Sequence, residues 1–365
     1  MSVTILARLG VQQRVLPAYR VPLFDALAAA CPQGLSLFAG QARPQEMIEA
    51  GVEPKLARLT RANNLHLLGG KFYLCWQRGL LRWLNQAQPE VLIVEANPRY
   101  LRTPEAVSWM HARGRKVIGW GLGAPGGSWR DALRRRFLRQ FDALITYSAQ
   151  GREEYIRAGF AAERVFVAPN AVTHRPTQPA PQRAEHFAAE GAQVLFVGRL
   201  QARKRLDVLL RACALLPAEA QPRLTIVGDG PARAELESLA AQVFPRAQFA
   251  GAHHGAELEP FFAAADLFVL PGTGGLAVQQ AMSHALPVMV AEADGTQVDL
   301  VRPENGWMLP PGDLGGLTDS LRDALSDVHR LRRMGLASYR IVAEEINLEN
   351  MVRVFADAVC AVGEG

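Results

Sequence analysis

The sequence predicts an α/β protein built from two Rossmann-like domains facing each other across a cleft, and three observations carry that expectation. Short apolar strands alternate with amphipathic helices along the whole chain, the pattern of parallel sheets covered by helices on both faces. The alternation breaks once, at Thr173–Arg183, where Pro176, Pro179 and Pro181 stand among polar spacers in a composition typical of linkers. At 365 residues the chain is also long for a single hydrophobic core.

In the first half the strands are expected at Val3–Ala7, Leu35–Ala39, Val91–Glu95, Lys116–Trp120, Ala143–Thr146 and Arg164–Ala168. Helical spacing falls between them at Phe72–Asn85, Pro104–Arg113 and the segment 129–141. After the break, strands are expected at Gln193–Val197, Arg223–Val227, Gln248–Ala250, Leu267–Leu270 and Val288–Val290. The domains are therefore drawn at residues 1–172 and 185–340. Residues 341–365 contain a last helix over Leu348–Val362 with no strand after it, free to pack on either domain.

Apolar residues make up 49% and charged residues 21%, as in ordinary folded domains. No secretory leader is expected, and no apolar run is long enough to cross a bilayer. Cys31, Cys75, Cys213 and Cys360 are scattered, which reads as reduced thiols and a cytoplasmic location. The net charge of +5 is unevenly divided. Residues 1–170 hold 23 Lys and Arg against 12 Asp and Glu, a net +11, so the remainder carries −6. An anionic surface or substrate is expected to meet the basic half. Nucleic acid is set aside, because no helix-turn-helix, zinc-finger or aromatic-basic strand signature accompanies the charge.

Ligands in open α/β sheets bind at the carboxyl ends of strands, so the turns after each strand are where chemistry is expected. The first turn of the second domain, Gly198-Arg199-Leu200 with Lys204, sets two cations at a strand end. Arginine grips a diphosphate bidentately and lysine adds a point charge; a solvated basic turn reads equally well. The second, Gly228-Asp229-Gly230-Pro231, lacks the third glycine of a dinucleotide fingerprint, which argues against a dehydrogenase. The third runs Pro271-Gly272-Thr273-Gly274-Gly275-Leu276-Ala277 into a helix carrying Gln280. Such a loop brings backbone N–H groups and a helix N-terminus to an anion, with Gln280 one turn further in to reach a ribose.

Together these turns resemble the retaining glycosyltransferases of the GT-B fold, family 4 (glycosyltransferase group 1). Phe249-Ala250-Gly251, Ala265–Pro271, Asp294-Gly295-Thr296, Asn305-Gly306-Trp307 and Pro169-Asn170-Ala171-Val172 extend the resemblance over nearly the whole chain. It implies a nucleotide-diphosphate sugar as donor substrate, with no cofactor. Arg199 and Lys204 would hold its diphosphate, while Gly198, Gly228 and the loop Gly272, Thr273, Gly274, Gly275, Leu276 and Ala277 contact sugar and phosphate. Two family glutamates fall here at Gly272 and Gln280, so both carboxylates are missing; Gln280 still accepts a ribose hydroxyl. Arg205 stands where a glycine is common, and Leu9-Gly10-Val11-Gln12 replaces the family's paired glycines after the first strand.

The acceptor, a glycan or lipid-linked saccharide, is assigned to the first domain. Tyr19-Arg20-Val21-Pro22-Leu23-Phe24 resembles an acceptor-side entry in part of the family, with a capping turn as the rival reading. Glu95, Asn97 and Arg99 stand at one strand end, where Glu95 either works on the acceptor or pairs with Arg99. Trp120 opens a glycine-rich mouth in which Leu122 occupies the place of a family histidine. His253 and His254 read as a solvated loop pair or as a nucleobase contact. The arginine-rich stretch 129–141 is either a core-packed helix with a solvated face or a basic surface for an anionic membrane.

No Asp-x-Asp triplet and no His/Cys cluster suggests a metal site. The resemblance implies retention of anomeric configuration, with the donor phosphate taking the acceptor proton, in cell-surface polysaccharide or glycolipid synthesis. The rival readings are a retired enzyme that binds nucleotide sugar or glycan without transfer, and a sugar-nucleotide epimerase.

Overall fold

The computed structural model describes residues 3–43, 46, 48, 51–127, 131–293 and 295–363. It divides into two compact units. The first contains, in chain order, β1 (Leu9–Val15), α1 (Val21–Ala29), β2 (Leu35–Gly40), β3 (Arg58–Arg61), β4 (Asn63–Leu67), β5 (Leu74–Arg78), α2 (Leu80–Ala87), β6 (Val91–Glu95), α3 (Thr103–His111), β7 (Lys116–Gly121), α4 (Asp131–Leu138), β8 (Ala143–Thr146), α5 (Ala149–Arg157) and β9 (Val165–Val167). The second follows with β10 (Gln193–Val197), α6 (Leu206–Ala214), β11 (Arg223–Val227), α7 (Arg233–Val243), β12 (Gln248–Gly251), α8 (Glu259–Ala264), β13 (Leu267–Leu270), α9 (Leu276–Ser283), β14 (Val288–Ala291), α10 (Thr296–Leu300), β15 (Gly306–Leu309), α11 (Leu314–Leu325) and α12 (Val328–Glu344). The last helix, α13 (Leu348–Gly363), belongs to the first unit again.

Each unit is built on a parallel sheet. The first has the order β3-β2-β1-β6-β7-β8-β9 and the second β12-β11-β10-β13-β14-β15. In both, the chain winds outward in one direction, returns to the middle and winds the other way. The order reverses between β1 and β6 and between β10 and β13. Helices that leave neighbouring strands on opposite faces open a crevice at the strands' carboxyl ends, and those two points are where a ligand site belongs. The central strands β6, β8, β13 and β14 are apolar and almost wholly buried, as sheets covered on both faces require.

The first strand is not at Val3–Ala7. That stretch has no regular structure, with Ile5 buried and Leu6 74% exposed. The true edge of the switch point is β1, whose buried Gln12 and Gln13 disguise it as a polar segment. The amides are matched: Gln12 donates to Gln77, and the Gln77 amide donates to the Gln13 carbonyl at 3.0 Å. Buried polar groups are tolerated when paired in this way. The expected helix Phe72–Asn85 is instead strand β5 followed by α2, and β5 pairs antiparallel with β4 in a hairpin. Cys75 and Gln77 are buried on alternate residues of β5, a period of two that helical spacing hid. The stretch 129–141 forms α4, shorter than expected; Trp129 and Arg130 lie outside the described residues. Leu138 and Phe141 pack into the core while Arg135, Arg136 and Arg139 face solvent.

The linker is pinned rather than loose. Arg183 donates to the carbonyls of Phe262 and His284 at 2.9 and 2.7 Å, and Tyr339 donates to the Gln178 carbonyl. Arg332 bridges the Ala184 carbonyl and the buried Asp266, at 2.6 and 2.7 Å. At the far end α13 lies on α1, and its Phe355 is completely buried, edge-on to Trp120 at 4.8 Å. Replacing Phe355 by Ala is expected to cost about 3–5 kcal/mol. Five of the six tryptophans are in the first unit, so the loss reads as a lower urea midpoint by tryptophan fluorescence. An unchanged midpoint would show that α13 merely rides on the surface.

Candidate functional site

In the second unit the switch point brings together the turns after β10 and β13. After β10 the chain makes a single 3-10 turn at Ala202–Lys204, and Arg205 takes the left-handed conformation at φ 54° before α6 starts. This geometry folds the Lys204 side chain back toward the strand ends. Its ammonium donates to the Thr273 carbonyl at 2.5 Å, and its stem runs beside Gly198. Arg203 completes the clasp: its guanidinium donates to the Thr273 hydroxyl at 3.2 Å, and its carbonyl accepts the Thr273 N–H at 3.1 Å. On the other side the buried Gln297 amide donates to the Gly274 carbonyl at 2.7 Å. The loop thus runs directly into α9, whose N-cap Gly275 supplies no side-chain cap.

Two glycines in these turns are required by neighbouring backbone. A Cβ on Gly228, at φ 142°, would strike the Gly198 carbonyl oxygen. A Cβ on Gly272 would strike the Arg203 carbonyl and stand 2.6 Å from the Lys204 carbonyl carbon. The missing carboxylate at Gly272 is therefore built into the loop, which has closed onto the β10 turn and leaves no room for a side chain. Gly198, Arg199, Thr273, Gly274, Gly275, Leu276, Ala277 and Gln280 are all partly accessible around this point. Gln279, next to Gln280, turns inward and donates to the Ile346 carbonyl at 2.7 Å. His253 and His254 serve the local turn. His254 caps it, and His253 contacts the Ala250 carbonyl at 3.2 Å.

In the first unit the switch point carries a charged cluster. Glu95, at the end of β6, accepts the Arg14 backbone N–H at 2.5 Å. The Arg14 guanidinium reaches Glu46 at 2.8 Å, and Arg43 holds the other Glu46 oxygen at 2.9 Å. The Tyr73 ring lies under Arg43, with the cation 4.3 Å from its centroid. Burial works against charge on Glu46, but the hydrogen bonds of Arg14 and Arg43 outweigh it and hold the carboxyl at about 2. Glu95 goes the other way. Burial pushes it up to about 7, against the Arg14 N–H and the charges of Arg14 and Arg20.

Several expected acceptor contacts sit differently. Among the described residues Glu95 makes no ion pair with Arg99, which is exposed; the Arg99 N–H is held by Asn97 at 3.1 Å in a local turn. Trp120 is only 2% exposed and Arg20 only 5%. The Arg20 guanidinium stands 5.2–5.4 Å from the rings of Tyr19, Trp120 and Tyr147. Both side chains are therefore buried in the core, where the aromatic faces offset part of the cost of desolvating the Arg20 cation. Tyr19 remains 44% exposed and Leu122 54%. Sequence reasoning missed Arg203, Gln297, Glu46 and Arg43. Only Arg203 had a signal, its place beside Lys204 in the basic turn. Asp294 lies outside the described residues, and among those described no group of three or more His, Cys, Asp or Glu is placed to hold a metal.

Two family models match. One described as "Glycosyl transferases group 1" covers residues 191–327, and one described as "Glycosyltransferase Family 4" covers residues 24–175. A GDP-mannose-dependent alpha-mannosyltransferase of Mycobacterium tuberculosis is 39% identical over 151 residues, 40% of this chain and 37% of that protein. A GDP-mannose-dependent monoacylated alpha-(1-6)-phosphatidylinositol monomannoside mannosyltransferase of Corynebacterium glutamicum is 28% identical over 288 residues, 74% of this chain and 73% of the relative. The matches span only 31–50% of the length of the first four curated relatives. The Anabaena protein HepE, solved in complex with UDP, superposes with a TM-score of 0.72 at 17% identity over 97% of this chain and 99% of its own. That likeness shows the fold.

The raised Glu95 carboxyl has a signed consequence. Its folded value lies above the ordinary one, so the native state holds the proton longer than the unfolded chain. Stability therefore falls as pH rises from about 4.5 to about 7 and is level above that. In E95Q the amide still accepts the Arg14 N–H but does not ionise. Its melting temperature relative to the parent is expected to climb between pH 5 and pH 8; a constant difference would contradict burial of an ionising Glu95.

Proposed function

Because the chain belongs to the group 1, family 4 glycosyltransferases of GT-B fold, we propose that it moves a hexosyl group from a nucleotide-diphosphate sugar to a saccharide or lipid-linked acceptor, with retention of anomeric configuration. One observation carries this reading: the Lys204 ammonium is lodged between the turns after β10 and β13, beside the N-terminus of α9.

In this reading the donor diphosphate lies over that point. Lys204 and Arg199 neutralise it, and the first N–H groups of α9, at Leu276 and Ala277, add the positive end of the helix dipole. As the bond from the anomeric carbon to the diphosphate lengthens, negative charge gathers on the leaving oxygens. Fixed cations oppose that charge more in the transition state than in the ground state, which lowers the barrier. The departing phosphate takes the acceptor hydroxyl proton. Gly198, Gly228 and the loop Gly272–Gly275 let backbone approach the sugar and phosphate, and Gln280 accepts from a ribose hydroxyl. No metal or cofactor is assigned a part. On the acceptor side Glu95, Asn97, Arg99 and Tyr19 are retained, while burial removes Arg20 and Trp120 from direct contact. A cytoplasmic enzyme of polysaccharide or glycolipid synthesis fits the reading. Among the described residues no helix is long and apolar enough to cross a membrane.

A second reading has one observation in its favour. With Gly272 closed on backbone, the loop offers the sugar no carboxylate, as in a protein that binds a nucleotide sugar without transferring it. A thermal-shift series with UDP-, GDP- and ADP-sugars, followed by a transfer or hydrolysis assay, separates the two. One nucleotide class is expected to stabilise the protein by about 2–3 kcal/mol at a hundredfold excess over Kd. K204A is expected to lose that stabilisation and most turnover while staying folded, its own melting temperature lowered modestly by the loss of the hydrogen bond to the Thr273 carbonyl. If no nucleotide sugar stabilises the parent, or K204A keeps full activity, the assignment fails.

A further inference from the structure

The two turns that meet at the β10/β13 switch point differ sharply in charge. From Gly198 to Arg205 the first carries Arg199, Arg203, Lys204 and Arg205 and no acid. From Pro271 to Gln280 the second carries no ionisable side chain. Thr273 is where they touch. Its carbonyl accepts from Lys204 at 2.5 Å and its hydroxyl from Arg203 at 3.2 Å, so the two cations are neighbours on a single residue.

Their partners set Arg203 apart. Arg205 is paired with Asp207 at 3.3 Å. Arg203 is exposed, and its Nε donates to the Gln201 side-chain oxygen at 2.8 Å. With Thr273 that makes two acceptors, both uncharged, and among the described residues Arg203 has no ion pair. A guanidinium held in place by neutral acceptors keeps its full charge, and the rest of its five-donor fork, for a ligand.

In the proposed function the diphosphate occupies Lys204 and Arg199. A nucleoside is uncharged, so a further anionic group on a nucleotide-diphosphate sugar belongs to its sugar. The surroundings of Thr273 also offer chiefly donors: the Arg203 fork and the first N–H groups of α9, which have no carbonyl of their own helix to bond. Sugar hydroxyls need acceptors as well as donors, whereas a carboxylate presents acceptors only.

We propose that the group transferred is an acidic sugar, a hexuronosyl group, and that Arg203 is the specificity-determining residue that binds its carboxylate. The inference deepens the proposed function and rests on it, since the diphosphate on Lys204 is what brings the sugar beside Arg203. It also gives the uncharged 271–280 loop a reason, because an acid there would repel such a sugar. The carboxylate is a spectator in the reaction. The bond from the anomeric carbon to the diphosphate oxygen breaks with its electron pair leaving on the oxygen, the acceptor oxygen bonds to that carbon, and its proton passes to the phosphate.

The test is calorimetric binding of the full chain to UDP, GDP and ADP and to matched pairs of a hexose and its uronate: UDP-glucose against UDP-glucuronate, and GDP-mannose against GDP-mannuronate. The parent is expected to bind the uronate of one pair about tenfold or more tighter than the hexose, as a charge-assisted hydrogen bond allows. That ratio should shrink as salt is added, because Arg203 is exposed. R203Q should bring it to about one and R203K should restore part of it, while R205Q should keep the parent's ratio. The proposal is overturned if the parent binds hexose as tightly as uronate in both pairs, or if R203Q keeps the preference. It is equally overturned if R203Q weakens the nucleoside diphosphate, the hexose donor and the uronate donor by the same factor, which would make Arg203 a clasp for the loop or a third diphosphate cation. Binding of a nucleoside diphosphate without preference for a uronate strikes this inference alone and leaves the proposed function standing. Binding of no nucleotide or nucleotide sugar strikes both.

Discussion

Everything chemical in this molecule depends on the place where a parallel sheet reverses its winding. At β1/β6 and at β10/β13 the strands are hydrogen-bonded neighbours, yet the segments that follow them diverge. Backbone at those ends has no sheet partner on one side and must be satisfied by turns or by side chains. In the second unit the answer is a mutual clasp, with Lys204 and Arg203 holding the 273–274 loop from one side and Gln297 from the other. In the first unit it is a carboxylate held by a backbone N–H, backed by an arginine pair around Glu46. The two solutions differ in electrostatic character. The former concentrates positive charge on a loop, whereas the latter keeps one carboxyl poorly solvated and near neutrality.

The second unit was largely legible because its chemistry is local. Its expected strands are mostly apolar, each turn carries glycines, and the cations stand within seven residues of a strand end. What stayed hidden there is reached through space: Gln297 comes from α10, and nothing near it in sequence announces a partner at Gly274. The edge strand β15 is also hidden, because Asn305-Gly306-Trp307 has the composition of a turn.

The first unit was harder for a different reason. Its β1 is buried yet carries two glutamines, so hydropathy points to the wrong segment nearby; only the pairing with Gln77, more than sixty residues away, makes that strand plausible. The same long-range logic governs Arg20 and Trp120. A Tyr-Arg pair before a helix and a tryptophan before glycines look like ligand contacts, but Tyr147 and Phe355 enclose them. Neither enclosing residue is adjacent in sequence, and Phe355 arrives from the last helix of the chain.

That return of α13 bears on how the protein is made. The second unit is an insertion within the first, so the first unit's core is discontinuous along the chain. During synthesis residues 1–172 emerge with the Trp120 pocket open, and the helix that fills it is translated only after all of residues 173–347. Domains generally fold as units, N-terminal first, and here that order leaves an apolar cavity unsealed for the whole time the ribosome spends on the inserted unit. The inserted unit, whose strands and helices are contiguous in sequence, can settle first, and its completion delivers the segment that closes its predecessor.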